Sequence, residues 1–406
     1  MYAQIEKMAA ALAPELTAWR RHLHTIPETA WNERETSAFL ASELKRMGYE
    51  VITGNPVAGH DTGLVAELRC GGADQPVFAL RFDIDGLPVE EASDPEHLPL
   101  SLGFQSRHAG CMHACGHDGH TAIGLGIAGE LQKRKEHLCG KIKLFFQPAE
   151  ETFYGAQSIV DKGHLDDVMN FIAVHIALSA ENKPLPSHTV ACGCRDFLSD
   201  RQLDVYLEGR AAHPCGASQE GRNALLAACS AALNIHSIAP HEAGLCRVNV
   251  GEIHAGVCAN TIAPNAMMRI EYRGQYPEIS AYAGKRIFDI LDGTAKAYGL
   301  TYHYVDYGEV PAGASDPAMM EIIQRAAKKV PWFETVYFEG NVGGTDDAAV
   351  MLTKVQQNGG IGTYVGIGAD TTGPVHNPEF DFDEDCLPAA MELCLNALEE
   401  LHAAEA

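Results

Sequence analysis

Apolar residues recur along this chain at two spacings, and each spacing predicts a type of secondary structure. Over residues 5–26 they recur every three or four positions, which predicts a helix that ends before Pro27. The same spacing predicts further helices over 33–47, 121–131, 316–329 and from about 383. Short apolar runs predict buried strands over 63–68, 77–82, 141–146, 171–174 and 362–367.

These strands and helices alternate in the first half of the chain and again near its end, and polar residues follow the strands directly. Such an alternation is typical of the α/β class, in which a mostly parallel sheet carries helices on both faces. Binding and catalytic sites in such sheets lie at the carboxyl ends of the strands. We therefore expect the polar side chains after the strands to form the functional site.

A different pattern occupies the middle of the chain, where residues 201–208 alternate between apolar and polar. The predicted elements that follow are a helix, two strands, a helix and a strand, over 223–238, 246–250, 267–273, 276–298 and 301–305. The order β-α-β-β-α-β predicts a small ferredoxin-like α+β domain. Because 406 residues exceed one ordinary core, we expect a discontinuous first domain, 1–195 and 309–406, with the second, 196–308, inserted.

The stretch Gly110–His120, with the sequence GCMHACGHDGH, concentrates potential metal ligands just before the predicted 121–131 helix. It contains three histidines, two cysteines and one aspartate. Imidazole nitrogen and thiolate sulfur are ligands that borderline divalent metals take. A redox-active or structural thiol pair, Cys111 with Cys115, is the alternative interpretation.

Further metal-competent side chains follow the predicted strands, namely Asp83, Asp85, Glu150, Glu151, His175 and His376. With Cys115 and His117 they are sufficient for two metal ions if one ligand bridges. Neighbours on an extended segment point in opposite directions, so one glutamate of the pair can bind metal while the other acts as general base. The two aspartates are expected to orient ligand imidazoles by hydrogen bonds. Taken singly, the glutamate pair also fits a solvated turn, and His175 also fits a buried core histidine.

Composition narrows the function classes. The net charge of −24 leaves no cationic surplus for phosphates, so we expect no nucleic acid and no membrane as partners. No apolar run is long enough to span a bilayer, and the first residues do not have the pattern of a secretory signal. Twelve cysteines in such a chain indicate reduced thiols and a cytoplasmic location.

Several motifs together resemble the amidohydrolase branch (subfamily D) of metallopeptidase family M20. They are MHACGHD at 112–118, QPAEE at 147–151, AVH at 173–175, and His376 before FDFDE at 380–384. The branch hydrolyses N-acyl amino acids such as hippurate, indole-3-acetyl-amino acids and aminobenzoyl-glutamate. The segments 221–228, 238–241, 247–251 and 354–357 are similar to its members that act on aminobenzoyl-glutamate.

The resemblance implies a role for each motif residue of the first domain. Cys115 would bridge two divalent metal ions, Mn²⁺ or Zn²⁺. His117 and His175 would complete one metal site, and Glu151 and His376 the other. Glu150 would be the general base, and Asp118 would join the aspartates that support the ligands.

The resemblance also implies that the inserted domain is a lid that forms a homodimer, although the partner could instead be a homologous second subunit. His213 would then reach the active site of the partner and stabilise the oxyanion. Asn260 and Arg273 would hold the substrate carboxylate, as guanidinium groups commonly do. Gly344 would contact the substrate through its backbone, although an ordinary glycine turn also explains it, as a surface histidine explains His213.

The leading hypothesis is therefore a binuclear metal-dependent amidohydrolase of a small anionic N-acyl amino acid, such as p-aminobenzoyl-glutamate or a similar aromatic acyl-glutamate or acyl-aspartate. A hydrolase of indole-3-acetyl-aspartate or hippurate is the alternative within the enzyme class. Outside that class, the chain could be a catalytically silent paralogue that serves in assembly, or a thiol redox protein. The redox hypothesis leaves Glu150, His175 and His376 without a role.

Overall fold

The computed structural model of the protein describes residues 2–71 and 75–405. The chain divides into two compact units, the first formed by Met1–Arg195 with Ala314–Ala406 and the second by Asp196–Gly313. The expected second junction, between 308 and 309, lies inside a strand that ends at Val310. This strand pairs along its length with the strand Asp200–Glu208, which keeps it with the second unit.

The helices, in chain order, are α1 (Tyr2–His24), α2 (Arg34–Arg46), α3 (Asn55–Ala58), α4 (Leu98–Ser101), α5 (His117–Arg134), α6 (Gly155–Asp161), α7 (Ala224–His236), α8 (Pro277–Tyr298), α9 (Pro317–Ala327), α10 (Ala348–Gln357) and α11 (Cys386–Glu405). The strands are β1 (Glu50–Thr53), β2 (Leu64–Cys70), β3 (Val77–Asp83), β4 (Gly140–Gln147), β5 (Asn170–Ile176), β6 (Ser179–Ala180), β7 (Lys183–Pro184), β8 (Thr189–Ala191), β9 (Asp200–Glu208), β10 (Cys246–Ala255), β11 (Asn265–Gly274), β12 (Thr301–Val310), β13 (Thr335–Tyr337) and β14 (Ile361–Ile367).

An eight-stranded sheet forms the centre of the first unit, in the order β1-β2-β4-β3-β5-β14-β8-β13. The four strands from β4 to β14 run parallel to one another, and β1, β2 and β8 are joined to their inner neighbours by antiparallel pairing. All residues of β3 and β5 are buried, as expected for strands covered on both faces. The expected α/β class with a mostly parallel sheet is therefore confirmed.

Helices α1, α5, α9 and α11 pack against one another and contribute to one large apolar core with strands of the sheet. Glycines let α5 approach the sheet closely. A Cβ at Gly124 would lie 2.6 Å from the ring of Phe82 and 2.9 Å from that of Phe146. The helix that follows the cysteine and histidine cluster is thus held directly against β3 and β4, whose ends carry Asp83 and Gln147.

The second unit contains a four-stranded antiparallel sheet in the order β10-β11-β9-β12, with α7 and α8 packed on it. This order places the first and third strands of the β-α-β-β-α-β unit at the centre, as in a ferredoxin-like fold. The alternating pattern of β9 buries Leu203, Val205 and Leu207 against the helices. The expected α+β insert is confirmed.

Two element boundaries differ from the sequence prediction near the site. Helix α5 begins at His117, four residues before the expected start, because Gly116 adopts a left-handed φ of 84° and turns the chain into the helix. His175 lies inside β5 and not after it. The short strands β1, β8 and β13 were not predicted, because three or four residues show no clear periodicity.

Candidate metal centre

The parallel strands bring the motif residues of the first unit to one edge of the sheet. Strand β3 ends at Asp83, β4 ends at Gln147 just before the two glutamates, and β5 carries His175 in its last two residues. The cysteine and histidine cluster is attached to the segment that follows β3. Leu87 of that segment pairs in an isolated bridge with Met112, which is three residues before Cys115. Six predicted residues therefore converge: Cys115, His117, Glu150, Glu151, His175 and His376.

His117 is held so that one ring nitrogen is free. Its Nδ1 donates a hydrogen bond to the backbone oxygen of Asp85 (2.9 Å), so Nε2 is the nitrogen that faces the two glutamates. Nε2 is buried without a hydrogen-bond partner and lies 3.8 Å from Glu150 Oε2 and 3.9 Å from Glu151 Oε1. A buried imidazole nitrogen that has no hydrogen-bond partner and faces carboxylates is in the arrangement expected of a metal ligand.

His175 is held in the same way. Its Nδ1 lies against the backbone oxygen of Ile176 and donates to it. Its Nε2 is therefore the unprotonated nitrogen, and it lies 3.6 Å from the sulfur of Cys115. Two imidazole Nε2 atoms and one thiol sulfur thus lie together at this position.

The second group of ligand atoms consists of Cys115, Glu151 and His376, and all three lie within 4.8 Å of one another. His376 Nε2 is 3.4 Å from Glu151 Oε2, and the backbone N–H of His376, at a φ of 64°, donates to Ala114 (2.8 Å). Cys115 and Glu151 raise the pKa of His376 to about 10. The acidic groups therefore favour a positive charge at their centre.

These two groups fit a pair of divalent metal ions. The donor set of imidazole, thiolate and carboxylate is the one that zinc and similar ions take. The orphaned His117 Nε2 and Glu151 Oε1 atoms, both buried, would be satisfied by such ions. Cys115 is close to members of both groups, which suits a shared ligand.

Glu150 occupies a distinct position beside these ligands. It is 5% exposed, and burial raises its pKa well above the usual range, with Asp346, Glu151 and Asp347 adding repulsion. A buried carboxylate with a raised pKa is a stronger proton acceptor than a solvated one. Glu151, the next residue, is only partly buried, so the two neighbouring glutamates lie in different environments.

His120 is also near the centre but has no nitrogen left for a metal. Its Nδ1 donates to Asp83 Oδ1 (2.6 Å), and its Nε2 accepts the backbone N–H of Ile176 (2.8 Å). The other oxygen of Asp83 accepts from Arg81 (2.6 Å). Asp83 was expected to orient a ligand imidazole, and the structure instead places it on His120 and on a buried arginine that the sequence analysis did not single out.

Arg81 is a buried arginine whose positive charge interacts with Glu150 and with three aspartates. Its guanidinium contacts Asp346 (3.3 Å) and Asp347 (3.2 Å) as well as Asp83. It therefore balances the acidic side chains that surround the candidate base. The sequence offered one sign of this pairing. Arg81 is a charged residue in the middle of an apolar strand, and a buried arginine requires acidic partners.

The other two supporting aspartates differ from each other. Asp85 supports His117 through its backbone oxygen, and its carboxylate accepts the N–H of Glu151 (3.0 Å). Asp118 instead accepts hydrogen bonds from Arg20 Nε (2.8 Å) and His24 Nδ1 (2.7 Å). The carboxylate of Asp118, in α5, thus binds two side chains of α1 and not the ring of a candidate ligand.

The remaining predicted site residues have the following environments. In the second unit, His213 is exposed, and its Nδ1 accepts the N–H of Gly216 (3.0 Å). Asn260 is exposed in the turn between β10 and β11, and Arg273 Nη2 contacts Asp200 (2.8 Å) and Glu271 (2.7 Å). In the first unit, a Cβ at Gly344 would meet no atom within 4 Å, so its backbone is accessible.

Comparisons with known proteins show the family to which this chain belongs. The model of the peptidase family M20/M25/M40 matches residues 79–400. The chain is 37% identical to an indole-3-acetyl-aspartic acid hydrolase of Enterobacter agglomerans over 95% of this chain and 96% of the relative. It is also 37% identical to the A subunit of the p-aminobenzoyl-glutamate hydrolase of Escherichia coli K12, over 96% of each chain.

Solved structures show the same similarity. An aminobenzoyl-glutamate utilization protein from Klebsiella pneumoniae superimposes with a TM-score of 0.78 at 32% identity, covering 97% of this chain and 98% of the other. A dinuclear metal-binding M20 peptidase of Bacillus subtilis has a TM-score of 0.76 at 26% identity over 97% and 99%. Among the described residues, no helix is both long and apolar enough to cross a membrane. The family match and the full-length relatives show that this chain belongs to peptidase family M20/M25/M40.

Proposed function

We propose that this protein is a binuclear metal-dependent amidohydrolase that cleaves N-acyl amino acids with an aromatic acyl group on glutamate or aspartate. The observation that carries the proposal is the arrangement of Cys115, His117 and His175 beside the pair Glu150 and Glu151. Two full-length relatives are named for p-aminobenzoyl-glutamate and indole-3-acetyl-aspartic acid. Both substrates join an aromatic acyl group to an acidic amino acid by an amide bond.

In this proposal His117 and His175 would hold one ion, Glu151 and His376 would hold the other, and Cys115 would contribute to both. The ions, when bound, lower the pKa of a water molecule and polarise the amide carbonyl. Glu150 accepts the proton of the attacking water and delivers it to the leaving nitrogen. Asp85 keeps the His117 ring in the required tautomer through its backbone oxygen.

The second unit supplies three of the remaining groups in the proposal, and the first unit supplies Gly344. Its lid forms a homodimer, and His213 stabilises the oxyanion in the partner's active site. Asn260 is exposed and has an amide side chain suited to a substrate carboxylate. Arg273 would bind the same carboxylate with a guanidinium that already contacts two acidic side chains, and Gly344 would contribute its accessible backbone. Because one relative is named as the A subunit of its enzyme, the alternative partner is a homologous second subunit.

A reducing compartment such as the cytoplasm is part of the proposal, because Cys115 must stay a free thiol to act as a ligand. Cys115 is a free, buried cysteine. The choice between manganese and zinc is open to measurement. We expect the softer thiolate to favour zinc, whereas Glu151 is compatible with both ions.

The direct test measures turnover of the purified chain, loaded with Mn²⁺ or Zn²⁺, on p-aminobenzoyl-glutamate, indole-3-acetyl-aspartate, hippurate and N-acetyl-glutamate. Glu150→Gln should retain two ions and lose kcat at least about a hundredfold. Glu151→Gln is the matched control, and it should lose metal. A Glu150→Gln protein with nearly parental kcat, or a parent that hydrolyses none of these amides, would contradict the proposal.

The lid assignment has a separate test by subunit exchange. His213→Ala and Glu150→Gln proteins should each be nearly inactive, because each lacks one group that every site requires. A mixture should regain activity, since each mixed dimer has one site with both groups intact. If labelled subunits exchange and the mixture stays inactive, His213 does not act across the dimer.

A further inference from the structure

Trp31 has an unusual backbone conformation and a specific aromatic partner. Its φ is 65°, in the left-handed region, which is strained for a bulky side chain. Its ring stacks on the imidazole of His60 with centroids 3.8 Å apart and an interplanar angle of 27°. Trp31 is only partly buried and His60 is exposed. The fold therefore maintains backbone strain at a tryptophan whose ring stays accessible.

Both members of this pair lie on segments attached to the strand end that carries Glu150. Two residues after Trp31, the Oε1 atom of buried Glu33 accepts the N–H of Ala149 (2.8 Å). Three residues after His60, Gly63 packs on Pro148 so closely that a Cβ there would lie 2.5 Å from the Pro148 ring. The two segments thus reach the same turn, Pro148–Ala149, from different sides.

The segment of Trp31 also contacts the strand end that supports His117. Glu28 accepts the backbone N–H of Gly86 through its own carbonyl (2.7 Å), and Thr29 pairs with Gly86 in a parallel bridge. Gly86 follows Asp85, whose backbone oxygen holds His117. Trp31 is therefore tied to the turns of two strands that build the metal centre.

Sheet register relates the end of β1, which precedes the loop of His60, to the end of β4. Thr53 at the end of β1 pairs with Leu64, and Leu64 pairs with Phe146 near the end of β4. Two strand spacings separate β1 from β4, about 10 Å. The loop that carries His60 follows β1 and so begins at the edge of the sheet at which β4 ends.

We infer that Trp31, supported by His60, is the platform on which the aromatic acyl group of the substrate stacks. The inference rests on the proposed function and adds the residue that selects the acyl group. Planar aromatic rings stack favourably on indole at offset geometry. Because His60 covers one part of the indole, Trp31 is held in a single orientation before the substrate binds. An acetyl group has no ring for this platform.

The test compares two substrates that share the glutamate and differ in the acyl group, p-aminobenzoyl-glutamate and N-acetyl-glutamate. In Trp31→Leu, the ratio of kcat/KM for the aromatic substrate to that for the acetyl substrate should fall about tenfold, consistent with the worth of an aromatic pair. His60→Leu should lower the ratio by a smaller factor.

The matched control is Trp332→Leu. Trp332 also lies against a histidine ring, His188 (4.6 Å, 35°), but this pair lies beside β8 and β13, which are four and five strands away from β4 in the sheet order. The control should leave the ratio unchanged. An equal loss for both substrates in Trp31→Leu, or an equal fall of the ratio in the control, would overturn the inference.

A second measurement does not depend on turnover and so separates this inference from the proposed function. Saturation-transfer NMR with p-aminobenzoyl-glutamate should show saturation of the aryl protons by the parent protein. Trp31→Leu should lose most of the aryl signal relative to the glutamyl signal, while its melting temperature stays near that of the parent. An aryl signal that persists in Trp31→Leu, or that is missing from the parent, refutes the platform. A parent that binds but does not hydrolyse refutes the proposed function only.

Discussion

Arg20 joins three segments of the first unit through one buried guanidinium group. It is 0% exposed in α1. Its Nε donates to Asp118 (2.8 Å), its Nη2 to Asp381 (2.6 Å) and its Nη1 to Glu384 (3.1 Å). Asp118 follows His117 directly, and the two other acidic residues follow the loop of His376. We expect Arg20→Met to destabilise the first unit and to weaken metal binding.

The magnitude follows from the burial of the partners. Asp118 and Asp381 are 0% and 2% exposed, and both would lose their guanidinium counter-charge. Removing one partner of a buried ion pair typically costs about 3–5 kcal/mol. Asp118 keeps its hydrogen bonds from His24 and the N–H of Gly119, so we expect the lower part of this range. That is a large fraction of the roughly 5–15 kcal/mol by which proteins are ordinarily stable.

Arg21→Met is the matched control, because Arg21 is the next residue and its ion pair is on the surface. Among the described residues its ion pair is with Glu384 (2.6 Å), and its side chain is 36% exposed. Such exposed pairs contribute about 0–1 kcal/mol. Arg20→Lys should lie between the two, because a lysine keeps the charge and loses the planar fork that reaches three carboxylates.

The assay is urea unfolding followed by tryptophan fluorescence in the presence of a chelator. All three tryptophans, Trp19, Trp31 and Trp332, lie in the first unit, so the signal reports that unit. Titration with Co²⁺ then measures metal binding through the absorption of the thiolate complex. The reasoning would be refuted if the unfolding free energy of Arg20→Met were within about 1 kcal/mol of the parent's, or no lower than that of Arg21→Met. Either result would show that the network contributes less to stability than its burial implies.

Three further predictions concern single positions. Cys115→Ala should bind fewer than two ions by elemental analysis, and full occupancy with normal turnover would remove Cys115 from the site. Gly124→Ala should lower the unfolding free energy by about 1–3 kcal/mol, because its methyl group would press on the rings of Phe82 and Phe146; an unchanged midpoint in urea would show that the helix shifts freely. Burial, with a contribution from Glu6, raises the pKa of Glu392 to about 7. The folded protein therefore holds a proton that the unfolded chain releases near its ordinary pKa of 4.5, and this stabilisation is lost as the pH rises through the folded pKa. Glu392→Gln stays neutral, so its gain over the parent should be small near pH 5 and about 1–3 kcal/mol near pH 8; equal gains at both pH values would contradict this.

Much of the architecture was readable from local sequence. The parallel strands appeared as apolar runs because they are buried on both faces, and the insert appeared as an alternation with period two, because one face of its sheet packs on helices. The candidate ligands were readable because they follow those strands directly. Topology alone then brings the ends of parallel strands to one edge.

The assignment of the histidines in HDGH was decided by the tertiary structure. His117 and His120 are three residues apart in the same helix, and both face the centre. His120 has no ring nitrogen available for a metal, because Asp83 and the N–H of Ile176 occupy its two nitrogens. His117 differs because its Nδ1 donates to the backbone of Asp85 while its buried Nε2 has no hydrogen-bond partner. Nothing within the motif distinguishes these two environments.

The pairing of buried charges was likewise decided by the tertiary structure. Arg81 meets Asp347 across 266 positions of sequence, and Arg20 meets Asp381 across 361. The sequence determined that these charges exist and that the strands and helices around them are apolar. It could not determine which charges meet, because ion pairing depends on distances between segments that only the folded sheet and its helices bring together. For the same reason Asp118, which follows a candidate ligand in the sequence, forms its ion pairs with α1. Trp31 is far from the motifs in the sequence, yet its segment contacts the turns that carry them.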